Sequence, residues 1–158
     1  MRFFNTAGPM KPEDHYCLPP LERWDLPEVL GLIAQKRYFV LHAPRQTGKT
    51  SCLLALRDHL NAAGGRRCAY INVEAAQGSR EDVRAAMQAI LGEFLAALEE
   101  QLGDASLRPG QREFLDLDGP QGALRAALTA WANASSVPTV LLLDEIDSLV
   151  GEDRKSVV

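Results

Sequence analysis

The chain has 158 residues, room for one domain with a core of its own and no more. With 46% hydrophobic and 24% charged residues it has the composition of an ordinary globular protein. A net charge of -4, without any block of like charges, argues against a broad nucleic-acid or membrane surface. The longest apolar stretch, residues 137–143, is broken by Pro138 and is far too short to span a bilayer. The N-terminus, Met1-Arg2-Phe3-Phe4-Asn5-Thr6, lacks the apolar core of a signal peptide. Cys17, Cys52 and Cys68 are widely spaced, with neither metal-ligand spacing nor a redox pair, so a reduced, cytoplasmic protein is expected.

Residues 8–27 are rich in proline (Pro9, Pro12, Pro19, Pro20, Pro27), which fixes φ and removes donors, so an irregular lead-in is expected. Residues 26–33 read as a short helix with Leu26, Val29, Leu30 and Ile33 on one face, closing a lead-in region over residues 1–36. Tyr38-Phe39-Val40-Leu41 is a compact apolar run that suits a buried strand. After Gly48, the positions Cys52, Leu53, Leu56 and Leu60 recur at helical spacing until Gly64-Gly65. Residues 68–73 form a second strand candidate. Ser79 and Asp82 resemble a capping box ahead of a long amphipathic helix marked by Val83, Met87, Ile90, Leu91, Phe94, Leu98 and Leu102. Residues 103–119 read as a loop with room for one helical turn. Leu124, Ala127, Leu128 and Trp131 mark a further helix, and Pro138 opens a third strand over residues 139–143. Strands alternating with helices imply parallel pairing in an α/β layered fold.

Between the first strand and its helix lies Ala43-Pro44-Arg45-Gln46-Thr47-Gly48-Lys49-Thr50, followed by Ser51. It nearly matches the P-loop pattern G-x-x-x-x-G-K-S/T, with Ala43 in the first glycine position. A loop leaving a strand and entering a helix wraps its N–H groups around phosphate oxygens, and the helix N-terminus adds partial positive charge there. Gly48 permits close backbone approach, Lys49 reaches the β- and γ-phosphates, and the Thr50 hydroxyl ligates magnesium. Ala43 fits provided its φ stays negative, and Arg45 and Gln46 read as a solvated tip. The third strand ends in Asp144-Glu145-Ile146-Asp147. In an open parallel sheet ligands gather at the carboxyl ends of strands, so Asp144 is suited to orient magnesium and Glu145 to polarise the attacking water. Asp147 reads better as a helix cap or a solvated carboxylate.

At these residues the chain resembles the AAA+ and STAND-type ATPases, P-loop NTPases whose strand motif commonly ends in D-E-x-D as residues 144–147 do. His42 through Thr50, with Tyr38-Phe39-Val40-Leu41 before it, is similar to a group of prokaryotic AAA-like ATP-binding proteins. Their lead-in resembles residues 12–25, and the likeness runs from about Phe4 to Gly151. The resemblance implies a three-layer α/β/α core with a parallel sheet over residues 37–152. It also implies ATP and Mg2+ as ligands, since no N-K-x-D guanine motif occurs, and a base-binding role for residues 15–21. Its expected activity is ATP hydrolysis coupled to conformational change. The alternatives are a slowly or non-hydrolysing switch in signalling or defence, and a DNA-associated loader, which the net charge does not favour.

The family's sheet has a further sensor strand, and a lid with arginines follows. Neither has a counterpart after Gly151, so the core is expected to be truncated before the sensor strand, with any homo-oligomer or protein partner engaged beyond it. By that expectation the 158 residues alone are not competent in turnover, and unpaired backbone beside residues 38–42 and 139–143 leaves them marginally stable. Asp153-Arg154-Lys155-Ser156-Val157-Val158 is what GAT CGG AAG AGC GTC GTG encodes, a string found in a common sequencing-library adapter. Residues 153–158 are therefore expected to be a non-native tail.

Overall fold

A computed structural model describes Phe4, Glu13, Asp14, Tyr16 and residues 18–149 except Arg45 and Arg80. The expected tail at 153–158 and most of the early lead-in lie outside the described residues. The chain divides into two compact units, Met1–His59 and Leu60–Val158.

In the first unit a 3-10 turn, Pro20–Arg23, precedes helix α1, Leu26–Ala34. Asp25 caps α1 by accepting from the Glu28 N–H at 3.1 Å. Pro27 occupies the first turn, where a missing N–H costs nothing. The helix buries Val29 and Ile33, as the periodicity predicts. It stops at Lys36, whose φ of 56° is left-handed. The Lys36 N–H donates to the Ile33 carbonyl and the Arg37 N–H to that of Leu32, the paired bonds of a Schellman end.

The expected buried strand at residues 38–41 is corrected by the structure. The run is not part of a sheet, and Tyr38 and Val40 are 105% and 85% exposed. An apolar run becomes a strand only where its N–H and C=O groups meet a neighbouring ladder, and its side chains are buried only when something covers them. Helix α2, Lys49–Ala62, begins at the lysine of the loop, and Cys52, Leu53, Leu56 and Leu60 are all buried.

In the second unit β1, Arg67–Asn72, and β2, Thr139–Asp144, pair in parallel from Arg67 opposite Thr139 to Asn72 opposite Asp144. A parallel pair needs a long crossover, and helices supply it here. Helix α3, Val83–Leu102, runs for 20 residues from Asp82, whose carboxylate accepts from the Ala85 N–H at 2.9 Å. Asp82 is therefore the cap, and Ser79 ends the preceding 3-10 turn, Glu74–Ser79, with its carbonyl accepting from the Asp82 N–H. Gly103, at φ 64°, closes the far end of α3. Residues 103–119 hold more helix than expected: a 3-10 turn, Arg108–Gly110, runs into helix α4, Gln111–Leu117, which buries Leu115. Helix α5, Gly119–Ala134, follows.

The core of this unit gathers Ala69, Ile71 and Val73 from the β1 side, Leu91, Phe94 and Leu98 from α3, and Ala123, Ala127 and Trp131 from α5. Phe94 meets the edge of Trp131 with ring centroids 5.5 Å apart. The outer edge of β1 is covered by side chains. The Asn61 amide accepts from the Cys68 N–H at 2.8 Å and donates to the Cys68 carbonyl at 2.9 Å. Gln101 of α3 does the same for Tyr70, at 2.9 and 2.8 Å. Two primary amides thus imitate a neighbouring strand. The described residues combine helices with a small parallel sheet, an α/β arrangement.

Candidate functional site

Three side chains fix the loop that precedes α2. Lys49 Nζ donates to the Ala43 carbonyl at 3.1 Å, so the ammonium folds back across the loop it follows. Thr47 Oγ1 donates to the Pro44 carbonyl at 2.8 Å. Arg23, from the 3-10 turn, donates through Nη2 to the Thr47 carbonyl at 2.7 Å. The backbone curls through two left-handed residues, Gln46 at φ 61° and Gly48 at φ 79°. Gly48 suits that conformation because it has no Cβ, whereas Gln46 bears a penalty of the kind found at functional turns. Arg45 lies outside the described residues.

Helix α2 starts at Lys49, and the N–H of Cys52 already bonds back to the Gly48 carbonyl at 3.0 Å. Lys49, Thr50 and Ser51 occupy the first turn, where backbone N–H groups have no intrahelical acceptor and the helix dipole favours an anion. A cavity of about 240 Å³ opens beside the loop. It is lined by Arg23 and Trp24 from the lead-in, Leu41, His42, Ala43 and Thr47 from the extended run and loop, and Lys49 and Cys52 from α2. The resemblance implies a base-binding region at residues 15–21, of which His15 and Cys17 lie outside the described residues. Arg23 and Trp24, just downstream, line the cavity beside the loop.

The acidic motif belongs to the second unit. Asp144 ends β2 and is buried, 5% exposed. Its Oδ2 accepts from the Tyr70 hydroxyl of β1 at 3.0 Å and its Oδ1 from the Glu145 N–H at 3.0 Å. A buried carboxylate needs such donors. Glu145 is exposed and left-handed, φ 57°, an uncommon state for a residue with a side chain. A 3-10 turn, Ile146–Leu149, follows, with the Ser148 N–H bonded to the Glu145 carbonyl at 2.9 Å. Asp147 is exposed on it, in keeping with a solvated carboxylate. The loop residues thus stand together in one unit and Asp144 with Glu145 in the other.

Sequence reasoning missed Arg23, Trp24 and Tyr70. A lone arginine and tryptophan after a proline pair read as lead-in. Tyr70 alternates in β1 as any strand aromatic does, and only the register shows that its hydroxyl reaches Asp144.

No helix among the described residues is long and apolar enough to cross a membrane. No curated protein and no solved structure matches the chain. The AAA domain family profile does match, over residues 33–157, which takes in the phosphate-type loop, both strands and the acidic motif. With that match spanning most of its length, the chain belongs to the AAA domain family.

Proposed function

We propose that the chain binds ATP with Mg2+ and that its protein hydrolyses ATP, as an AAA+ ATPase of the STAND-like kind whose nucleotide state drives a conformational change. One observation carries this reading: a curled loop, with Gly48 at its bend and Lys49 folded across it, leads straight into the N-terminus of a 14-residue helix. On this reading residues 37–152 form the P-loop core of three-layer α/β/α type. Residues 1–36 are its lead-in, and 153–158 play no part.

The roles follow from the chemistry of each group. The N–H groups from Thr47 to Ser51 hold the phosphate oxygens. Lys49 exchanges the Ala43 carbonyl for the β- and γ-phosphates when they arrive, a stronger, charge-assisted partner. For Mg2+, Thr50 of the loop and Asp144 of the acidic motif would offer a hydroxyl and a carboxylate, the kinds of oxygen donor a hard cation takes. Bound with the nucleotide, Mg2+ would supply positive charge that offsets the negative charge of the phosphates. Tyr70 keeps the Asp144 carboxylate in one orientation. Glu145, exposed and in a strained backbone state, is the group that accepts a proton from, or orients, the attacking water.

The test is titration calorimetry with MgATP, and phosphate release, on the protein and its Lys49→Ala and Glu145→Gln variants. Lys49→Ala is expected to lose binding. Glu145→Gln is expected to bind ATP as the parent does while turnover falls by about 100-fold or more. Unchanged turnover in both variants would end the assignment.

A further inference from the structure

We propose that Arg23 is a positioning residue of the phosphate loop: it holds the Thr47–Gly48 peptide in the orientation that presents the Gly48 N–H to a β-phosphate. The inference rests on the reading of residues 43–50 as the phosphate cradle and adds a residue that no loop pattern contains.

Two contacts carry it. Arg23 Nη2 donates to the Thr47 carbonyl at 2.7 Å. The other terminal nitrogen, Nη1, lies 2.7 Å from the point where a Cβ on Gly48 would sit, so the guanidinium fills the space that the glycine leaves. A trans peptide is planar, and its C=O and N–H point in opposite directions. Fixing the Thr47 carbonyl toward Arg23 therefore turns the Gly48 N–H away from it.

This peptide needs fixing. It leads into a left-handed glycine, Gly48 at φ 79°, with Gln46 at φ 61° one residue before Thr47. Turns of types I and II differ mainly by rotation of their central peptide, and a glycine after that peptide admits both. Left to itself, the Thr47–Gly48 peptide has a second orientation in which an oxygen replaces the N–H, and an oxygen there repels phosphate. Arg23 stabilises the first orientation with a charge-assisted bond.

The anchor is itself held. Arg23 ends a 3-10 turn in which the Glu22 N–H bonds to the Pro19 carbonyl at 3.1 Å, and Asp25 caps α1 two residues later. Cys52 Sγ of α2 donates to the Pro20 carbonyl at 3.4 Å, a second link from the turn to the helix that follows the loop. The lead-in is thereby tied to the loop and to α2 at separate points.

The experiment is titration calorimetry of the 158-residue chain with MgADP and MgATP, comparing the parent with Arg23→Ala, Arg23→Gln and Lys49→Ala, with circular dichroism to verify that each variant folds. Because the β-phosphate is common to both nucleotides, Arg23→Ala is expected to weaken ADP and ATP equally, by about tenfold. Arg23→Gln, which keeps an N–H donor without the charge, is expected to recover part of the loss. Parent affinity in folded Arg23→Ala, beside a Lys49→Ala that no longer binds, overturns the proposal and leaves the cradle standing. A loss confined to ATP overturns it too, since that would make Arg23 a γ-phosphate ligand. A parent chain that binds neither nucleotide overturns the cradle and the proposal together.

Discussion

Replacing Gln101 by methionine removes one of the two amides that cover the outer edge of β1 while keeping the length of the side chain and its helix propensity. In the parent the Gln101 amide makes two bonds with one residue, accepting from the Tyr70 N–H at 2.9 Å and donating to the Tyr70 carbonyl at 2.8 Å. Each is worth about 1 kcal/mol net, and a partly buried N–H or C=O left without a partner adds to that, so the expected cost is about 2–3 kcal/mol. For a chain of this size each kcal/mol moves the midpoint by about 2–4 °C, which places the Gln101→Met melt about 5–10 °C below the parent. Circular dichroism at the helix band reports the melt, and a urea titration tests whether the slope is unchanged. Gln101→Glu supplies a control, because a carboxylate accepts from the Tyr70 N–H but has no proton for the carbonyl; it should lie at least as low as methionine at neutral pH. A Gln101→Met midpoint within about 1 °C of the parent, with the same urea slope, would show that water replaces both bonds without loss.

Gly48→Ala places a Cβ 2.7 Å from the Arg23 guanidinium on a left-handed backbone, and about tenfold or greater loss of MgATP affinity is expected by calorimetry. Trp131→Ala empties the space beside Phe94 and is expected to cost about 3–5 kcal/mol in urea titration. Trp131→Phe should cost much less, since it also deletes an indole N–H that is buried without a partner among the described residues. The Asp104 carboxyl titrates below the usual carboxylate range, chiefly because the Ser106 hydroxyl donates to it at 2.6 Å, helped by the Ser106 N–H and by Arg67 at 2.6 Å. A depressed carboxyl stabilises the fold above its unfolded-state pKa, and that contribution is lost as the pH falls through its folded-state value. Asp104→Asn should therefore destabilise at pH 7 and converge on the parent as the pH falls through the lowered folded-state value of Asp104, read from urea midpoints across the acid range.

What could be read in the sequence was the local and periodic part. Helix α3 was legible because an apolar residue recurs every three or four positions over 20 residues, and α1 because Leu26, Val29, Leu30 and Ile33 fall on one face. The strands expected at 68–73 and 139–143, from two apolar runs separated by helical pattern, lie within one residue of the observed 67–72 and 139–144. Helix α4 was obscured by Pro109 and Gly110, which read as breakers yet sit in a 3-10 turn that leads into it. Residues 38–41 have strand composition, but pairing is a property of two segments and no single run contains it. The loop and the acidic pair were visible as motifs. Their supports were not: Arg23 acts 24 residues from Thr47, Gln101 acts 31 residues from Tyr70, and Tyr70 acts 74 residues from Asp144. Such long-range bonds leave no spacing to detect.

The amide cover on β1 also decides which way the sheet is able to grow. In a parallel ladder alternate residues face each side, and on the outer side Cys68 and Tyr70 already spend both of their backbone groups on Asn61 and Gln101. A foreign strand arriving at that border finds the backbone groups of Cys68 and Tyr70 already taken, which guards this stretch against runaway stacking of copies. The same clasps lock register, because sliding β1 by one position would offer them Ala69 and Ile71, turn every side chain over, and carry the Tyr70 hydroxyl to the face away from Asp144.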